Sequence, residues 1–332
     1  SRDIRAGETL SENNIVVLRP NHGIDARNYD KLLGKTLKQS VVQHEKLNLE
    51  IVNDFREVKT CQLCSSTQNS LVSIITEKPK RETEYLPKGT DYYREIRRCH
   101  NCGVFFNLHD YNLFNEGFYA GDYNAAIEEG KLQKRFEHII NLPEVGSDNK
   151  QRVKRILNFC EIAINKSKKE LRVLDVGSGT GVFPYELSKS IKKISAVDPD
   201  QKSVLLMRKN IELDNIWHGS LQNIPESEKF DLITFNKVLE HLKSPGEMLS
   251  HAKNRLLSGG YLYIELPFAE DLIKKGLQDQ SAEFFIEHYT TYTFSALHYL
   301  IENSGFENLA IKKLVDPSGK HTIYCFARIK NI

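Results

Sequence analysis

From residue 125 towards the C-terminal end, short apolar runs alternate with stretches whose apolar positions recur every three to four residues. The first rhythm marks buried strands and the second amphipathic helices. Helices are predicted over 125–140 and 152–164, then a strand over Leu171–Val176. A helix over 182–190, a strand ending at Asp198, a helix over 201–210 and a strand near Ile216 follow. Phe230–Phe235 and Gly260–Leu266 are the next strands, the latter ended by Pro267, before a helix from Ser295 to Asn303 closed by Gly305. Leu309, Ile311 and Leu314, then His321–Phe326, read as a last hairpin turning at Pro317–Gly319. Alternating strands and helices predict an α/β domain on a mostly parallel sheet. The N-terminal stretch keeps neither rhythm for long. Ile15–Leu18 reads as a strand, Arg19–Gly23 as a turn, and Tyr29, Leu32 and Leu33 as a helix stopped by Gly34.

The chemistry concentrates where the first long apolar strand ends. Leu171–Gly181 reads Leu-Arg-Val-Leu-Asp-Val-Gly-Ser-Gly-Thr-Gly, a strand running through a glycine turn into a helix. Such a corner lets a ligand touch backbone at a helix N-terminus. Its Gly-x-Gly-x-Gly spacing misses the dinucleotide fingerprint. Asp175, two residues before Gly177, repels phosphate and suits a cation. Asp198, ending the next strand, is placed to accept hydrogen bonds from two ribose hydroxyls. These residues resemble a class I S-adenosylmethionine-dependent methyltransferase, which implies a Rossmann-like seven-stranded domain. The resemblance implies donor contacts from Asp175, Gly177, Ser178, Gly179, Gly181, Asp198, Pro199, Ser220, Leu221 and Asn236, with Tyr123 as a cover. The acid that relatives often aim at adenine is missing from Gly219–Gln222.

Charge narrows the field. With 46 basic and 44 acidic residues the net charge is +2, which gives no electrostatic case for nucleic acid or a membrane surface. No apolar run approaches the length of a membrane span and no signal pattern opens the chain, so a cytoplasmic protein is expected. The start at Ser1 is expected to mark a fragment of a longer polypeptide. Six cysteines include two C-x-x-C pairs, Cys61/Cys64 and Cys99/Cys102. Two such knuckles complete a tetrahedral structural Zn²⁺ site in a ribbon with an inserted hairpin. A four-cysteine ribbon ahead of a methyltransferase resembles bacterial sugar methyltransferases, and Phe118–Tyr123 matches the aromatic link between the two parts.

The N-terminal segment has a second resemblance. Arg2–Glu8, Glu12–Ile15, Leu18–Ile24 and Tyr29–Lys35 are similar to the SAF (antifreeze-like) domain at the C-terminus of sialic acid synthases. The resemblance implies that Arg19 contacts an acylated sugar, and a homo-oligomer or an upstream synthase-like domain as partner. Three domains are therefore expected: SAF over 1–54, zinc ribbon over 55–115 and methyltransferase over 116–332.

Acceptor residues are sought at the C-terminal ends of the strands. Glu240–His241 resembles part of the Glu-x-x-Glu-His metal motif of some relatives, but Lys237 replaces its first carboxylate and opposes a divalent ion. Phe284–Tyr292 resembles the Glu-His stretch of sugar methyltransferases, whose histidine faces the acceptor. His288 is the first choice of general base and His241 the second, with Glu287 beside them and Glu240 and Tyr289 lining the substrate mouth. The expected reaction is O-methylation of a sialic-acid-like sugar or its acylated precursor. The alternatives are C-methylation of a nucleotide-linked deoxysugar and a non-catalytic sugar-binding scaffold. RNA methylation is disfavoured by the balanced charge.

Overall fold

The computed structural model describes residues 2–18, 23–52, 59–83, 85–86, 90, 92–109 and 130–330. The chain forms two compact units, Ser1–Lys59 and Thr60–Ile332. In the first, Leu10, Leu32, Leu37, Val41 and Val52 meet in a small core. Helix α1 (Tyr29–Leu32) follows a 3₁₀ turn capped by the Asp25 carboxylate, and Gly34 takes φ +83° just beyond it. The predicted strand at Ile15–Leu18 is absent, and Val16, Val17 and Leu18 are exposed. Pairing goes instead to isolated bridges, Ile4–Val41, Thr9–Thr36 and Leu37–Val52. A unit this short folds around turns, and an apolar run with no partner ladder forms no strand.

The second unit opens with strands β1 (Asn69–Ile75), β2 (Arg94–Cys99) and β3 (Phe105–Leu108), an antiparallel meander. Helices α2 (Lys131–Ile140) and α3 (Asp148–Ala163) come next. The second begins four residues before its predicted start because the Ser147 hydroxyl caps it. Then come β4 (Arg172–Val176), α4 (Val182–Ser188), β5 (Lys193–Asp198), α5 (Gln201–Asn210) and β6 (Asn215–His218). After β7 (Phe230–Asn236), α6 (Pro245–Lys253), β8 (Leu256–Pro267) and α7 (Glu270–Lys274) lies the two-residue strand β9 (Thr290–Thr291). Helix α8 (Phe294–Asn303) and the hairpin β10 (Phe306–Val315) and β11 (His321–Ile329) follow.

Among the described residues the main sheet has seven strands in the order β10-β11-β8-β7-β4-β5-β6. Its β8-to-β6 part is parallel, and β11 and β10 add antiparallel strands at one edge. From β4 the chain winds out through β5 and β6, then returns to β7 on the other flank of β4. The ends of β4 and β7 are thus the switch point where such sheets open a crevice for ligands. The central strands β4, β5 and β7 are buried on both faces, so they read as continuous apolar runs rather than alternating ones. The smaller sheet runs β1-β2-β3-β9, and its last strand comes from a segment almost two hundred residues later in the chain.

That borrowed strand joins the cysteine module to the large core. Phe106 of β3 is fully buried in the same apolar cluster as Phe235, Leu239, Leu297 and Leu300. Phe106→Ala is expected to cost about 3–5 kcal/mol. Chemical denaturation followed by tryptophan fluorescence should give a single transition. Separate melting of 60–109 would mean that the two parts do not share a core.

Candidate functional site

At the glycine corner, backbone shape and burial explain each residue type. Gly177 has φ +69°, and a Cβ there would lie 2.6 Å from Val238 Cγ2. Gly179 has φ +54° with open space where its Cβ would be. The first glycine is required by packing, while the second leaves room for a ligand against the backbone. Gly181 is the N-cap of α4. The Ser178 hydroxyl donates to the Asp175 carbonyl at 3.0 Å.

Asp175, expected from the sequence to be a donor contact, lies near the end of β4. It is buried, and its Oδ1 accepts from Thr234 Oγ1 at 2.7 Å and Asn236 Nδ2 at 2.8 Å. Burial raises its pKa to about 6 against the pull of those donors. It ties the end of β4 to the end of β7. Asn236 Oδ1 is left buried with no hydrogen-bond partner. An orphaned acceptor there fits a ligand ammonium group.

Asp198 accepts Gly179 N–H on Oδ2 at 2.7 Å and Asp200 N–H on Oδ1 at 2.9 Å. Each oxygen keeps a lone pair for a further donor. Burial pushes its pKa to about 6. The Pro199 carbonyl lies 3.0 Å from His218 Nε2. Ser220 caps a one-turn 3₁₀ helix, with its N–H donating to Asn223 Oδ1 at 2.7 Å, and Leu221 is fully buried behind it. Arg19 and Tyr123, with the aromatic link that carries Tyr123, lie outside the described residues.

Beyond β7, Lys237 adopts φ +60°, and its Nζ donates to Thr322 Oγ1 at 2.7 Å. A non-glycine residue in that region at the end of a central strand marks a built site. His241 and His288 meet edge-on with ring centroids 4.7 Å apart. His241 Nδ1 lies 3.1 Å from the Glu287 carbonyl and His288 Nδ1 lies 2.9 Å from the Glu283 carbonyl. A carbonyl only accepts, so both protons sit on Nδ1 and both Nε2 atoms carry lone pairs. Burial lowers the pKa of His241 to about 4 and takes His288 well below its ordinary value. Both rings are neutral at pH 7.

Glu240 lies fully buried rather than open at a mouth, with both carboxylate oxygens lacking a hydrogen-bond partner. Burial raises its pKa to about 8 and that of Glu287 to about 7. The ligand atoms of Glu240, His241 and His288 lie within 4.8 Å of one another. Tyr289 is buried and donates its N–H to the Glu240 carbonyl at 2.8 Å.

The four cysteines converge. Cys61 Sγ is 3.7 Å from Cys102 Sγ, and Cys64 Sγ is 3.5 Å from Cys99 Sγ. A tetrahedron with Zn–S bonds of about 2.3 Å has edges near ~3.8 Å, so the donor set fits that ion. Gly103 takes φ +80°, and a Cβ on it would collide with the Ser295 hydroxyl at the start of α8.

A family model described as a methyltransferase domain matches residues 145–311, half of the chain. The chain belongs to the methyltransferase-domain family. A SAF domain model matches residues 1–47. The mitochondrial ubiquinone biosynthesis O-methyltransferase of Candida albicans is 34% identical over 103 residues, 28% of this chain and 32% of that one. Its Schizosaccharomyces pombe counterpart is 22% identical over 185 residues, 47% and 66% of the two chains. The matches therefore span between about a third and two thirds of these relatives' length. The crystal structure of magnesium protoporphyrin IX methyltransferase from Synechocystis, with S-adenosylhomocysteine bound, superposes with a TM-score of 0.50 at 15% identity. That match covers 65% of this chain and all of the other, and it shows a shared fold. The second unit thus carries the Rossmann-like methyltransferase fold.

Two buried polar groups at the strand ends, Thr234 and Glu265, were not legible beforehand. Thr234 sits inside an apolar strand, where nothing in sequence marks it as a partner of Asp175. Glu265, at the end of β8, is fully buried and held by Arg152 Nε at 3.0 Å and Arg155 Nη2 at 3.0 Å. Only an acidic residue in the Tyr-Ile-Glu-Leu-Pro run hinted at that network.

The two glycines make a paired test. Gly177→Ala, with a left-handed backbone and a clash, is expected to lose about 2–4 kcal/mol of stability. Gly179→Ala, with open space, is expected to lose about 1–2 kcal/mol. Urea titrations of both variants check the order.

Proposed function

We propose that this chain binds S-adenosylmethionine at the glycine corner and methylates a hydroxyl oxygen of a small, sugar-like acceptor. The observation that carries the reading is Asn236. It is tied to the corner through Asp175, and its Oδ1 is a buried acceptor with no partner. In this reading Asp198 accepts the two ribose hydroxyls, Asn236 Oδ1 takes the ammonium group of the methionyl part, and the Gly179 backbone leaves room for the chain between them. When bound, the donor supplies a methyl carbon on a positively charged sulfur, open to in-line displacement. The protein's own work is to align the acceptor and remove its proton. In this reading His288 Nε2 removes it, and the neutral state of the ring at pH 7 keeps the lone pair available. General-base assistance of this kind contributes roughly 10²–10⁴-fold.

The oxygen acceptor is supported by the Nε2 lone pairs of this neutral imidazole pair and by the O-methyltransferases among the relatives. The sugar class is supported by the SAF match, and a nonulosonic sugar or its acylated precursor is the narrower form of the same proposal. In this reading the four cysteines hold a structural Zn²⁺, supported by their sulfur spacing. A site closed by four thiolates has no open position for substrate.

Asp198→Ala should weaken donor binding at least tenfold in calorimetry while the protein stays folded, and retained affinity would overturn the corner assignment. The pH dependence has a definite sign. With its pKa raised to about 6, Asp198 takes up a proton as pH falls through that value and loses acceptor capacity. Donor affinity should therefore be flat above pH 7 and fall below pH 6. Product analysis by NMR decides the acceptor atom: a methyl ether supports the reading, and a branched carbon replaces it with C-methylation.

A further inference from the structure

The cysteine module does more than sit beside the acceptor side, because its strand β3 carries a side chain that organises the loop before β9. We propose that Asn107 is the positioning residue for His288, an inference that rests on His288 acting as the base.

Asn107 is buried at 3% exposure. Its Nδ2 faces three backbone carbonyls, those of Phe284 at 3.1 Å, Phe285 at 3.1 Å and His288 at 2.8 Å. Its own N–H donates to the Tyr289 carbonyl at 3.1 Å. One amide with two hydrogens thus gathers three carbonyl dipoles that repel one another when brought together without a donor. The same side chain is oriented from behind. Arg94, fully buried, donates to Asn107 Oδ1 at 2.7 Å and to the Phe284 carbonyl at 2.5 Å. Glu82 accepts the Ile286 N–H at 2.8 Å and lies 3.8 Å from the Arg94 guanidinium. Gln62, inside the first cysteine knuckle, donates to the Asn107 carbonyl at 3.2 Å.

The turn carrying His288 is therefore clamped from residues of the cysteine module, while its imidazole is anchored through Nδ1 to the Glu283 carbonyl. Fixing the backbone on one side and the ring on the other leaves Nε2 with one direction to point. An imidazole held within a fraction of an ångström is what general-base geometry demands. No local sequence pattern joins residue 107 to residue 288; the strand pairing Phe105–Thr291 and Phe106–Thr290 does.

The test removes the donor without removing the fold. Asn107→Asp keeps the volume and the Arg94 pair but leaves no hydrogen for the three carbonyls; Asn107→Ala removes the group altogether. Both are compared with the unaltered full chain by NMR titration of the histidine rings, with the His288 signal identified from its loss in His288→Ala. Donor affinity by calorimetry is the control, since it reads the other side of the crevice. The expected result is a His288 titration shifted upward by one pH unit or more in at least one folded variant, donor affinity within twofold, and kcat down 10- to 100-fold with a smaller change in KM. An unmoved His288 titration in whichever variant folds overturns the proposal. If His288→Ala keeps full kcat, the base assignment fails by itself, and the ring titration still decides whether Asn107 positions the loop.

Discussion

A buried carboxylate between two strands governs this fold's crevice. Asp175 joins the end of β4 to the end of β7 through Thr234 and Asn236, at the point where the winding of the sheet reverses. A carboxylate removed from water is costly unless its oxygens are satisfied, so the pairing holds the two strand ends in register. The glycine turn after β4 and the lysine turn after β7 both start from this tie. Asp198 then holds the turn from the other flank by receiving the Gly179 amide. An acid that the sequence offers as a ligand group also ties two strand ends together.

Burial decides the chemistry of the opposite wall. His241 and His288, both partly buried, lie against one another, and each gives its Nδ1 proton to a carbonyl. Charging either ring would cost desolvation and repel the other, so both stay neutral. Glu240 and Glu287 feel the same surroundings with the opposite sign and tend to hold protons. Burial thus works against charge on all four of these groups, raising the two carboxyls and lowering the two imidazoles.

The cysteine module reaches this wall by sheet pairing rather than by proximity in sequence. β9 completes its sheet, Phe106 enters the large core, and Thr293 donates to the Gly103 carbonyl at 3.2 Å. A structural ion at the knuckles would thus be felt at the loop before β9 through main-chain hydrogen bonds. Most of the module's buried polar side chains, Arg94, Asn107 and Glu82, point at that loop.

The strands of the main sheet, the helices after β4 and β5, the glycine corner and the four thiols were legible from the chain alone, whereas α6, α7 and the contact between His241 and His288 were not. The legible parts depend on local periodicity, on backbone shape and on spacing between near neighbours, which sequence carries directly. The strand at Ile15–Leu18 failed because an apolar run forms a strand only if a partner ladder reaches it, and that is a tertiary matter. The ties from Asp175 to Thr234 and Asn236, some sixty residues away, are a tertiary matter too. Asn107 and Arg94 were silent for the same reason, since the partners that give them meaning lie almost two hundred residues on. Sequence determined which groups were present and on which elements; only the folded chain determined which of them are buried and which partners they hold, because burial and long-range hydrogen bonds arise from packing.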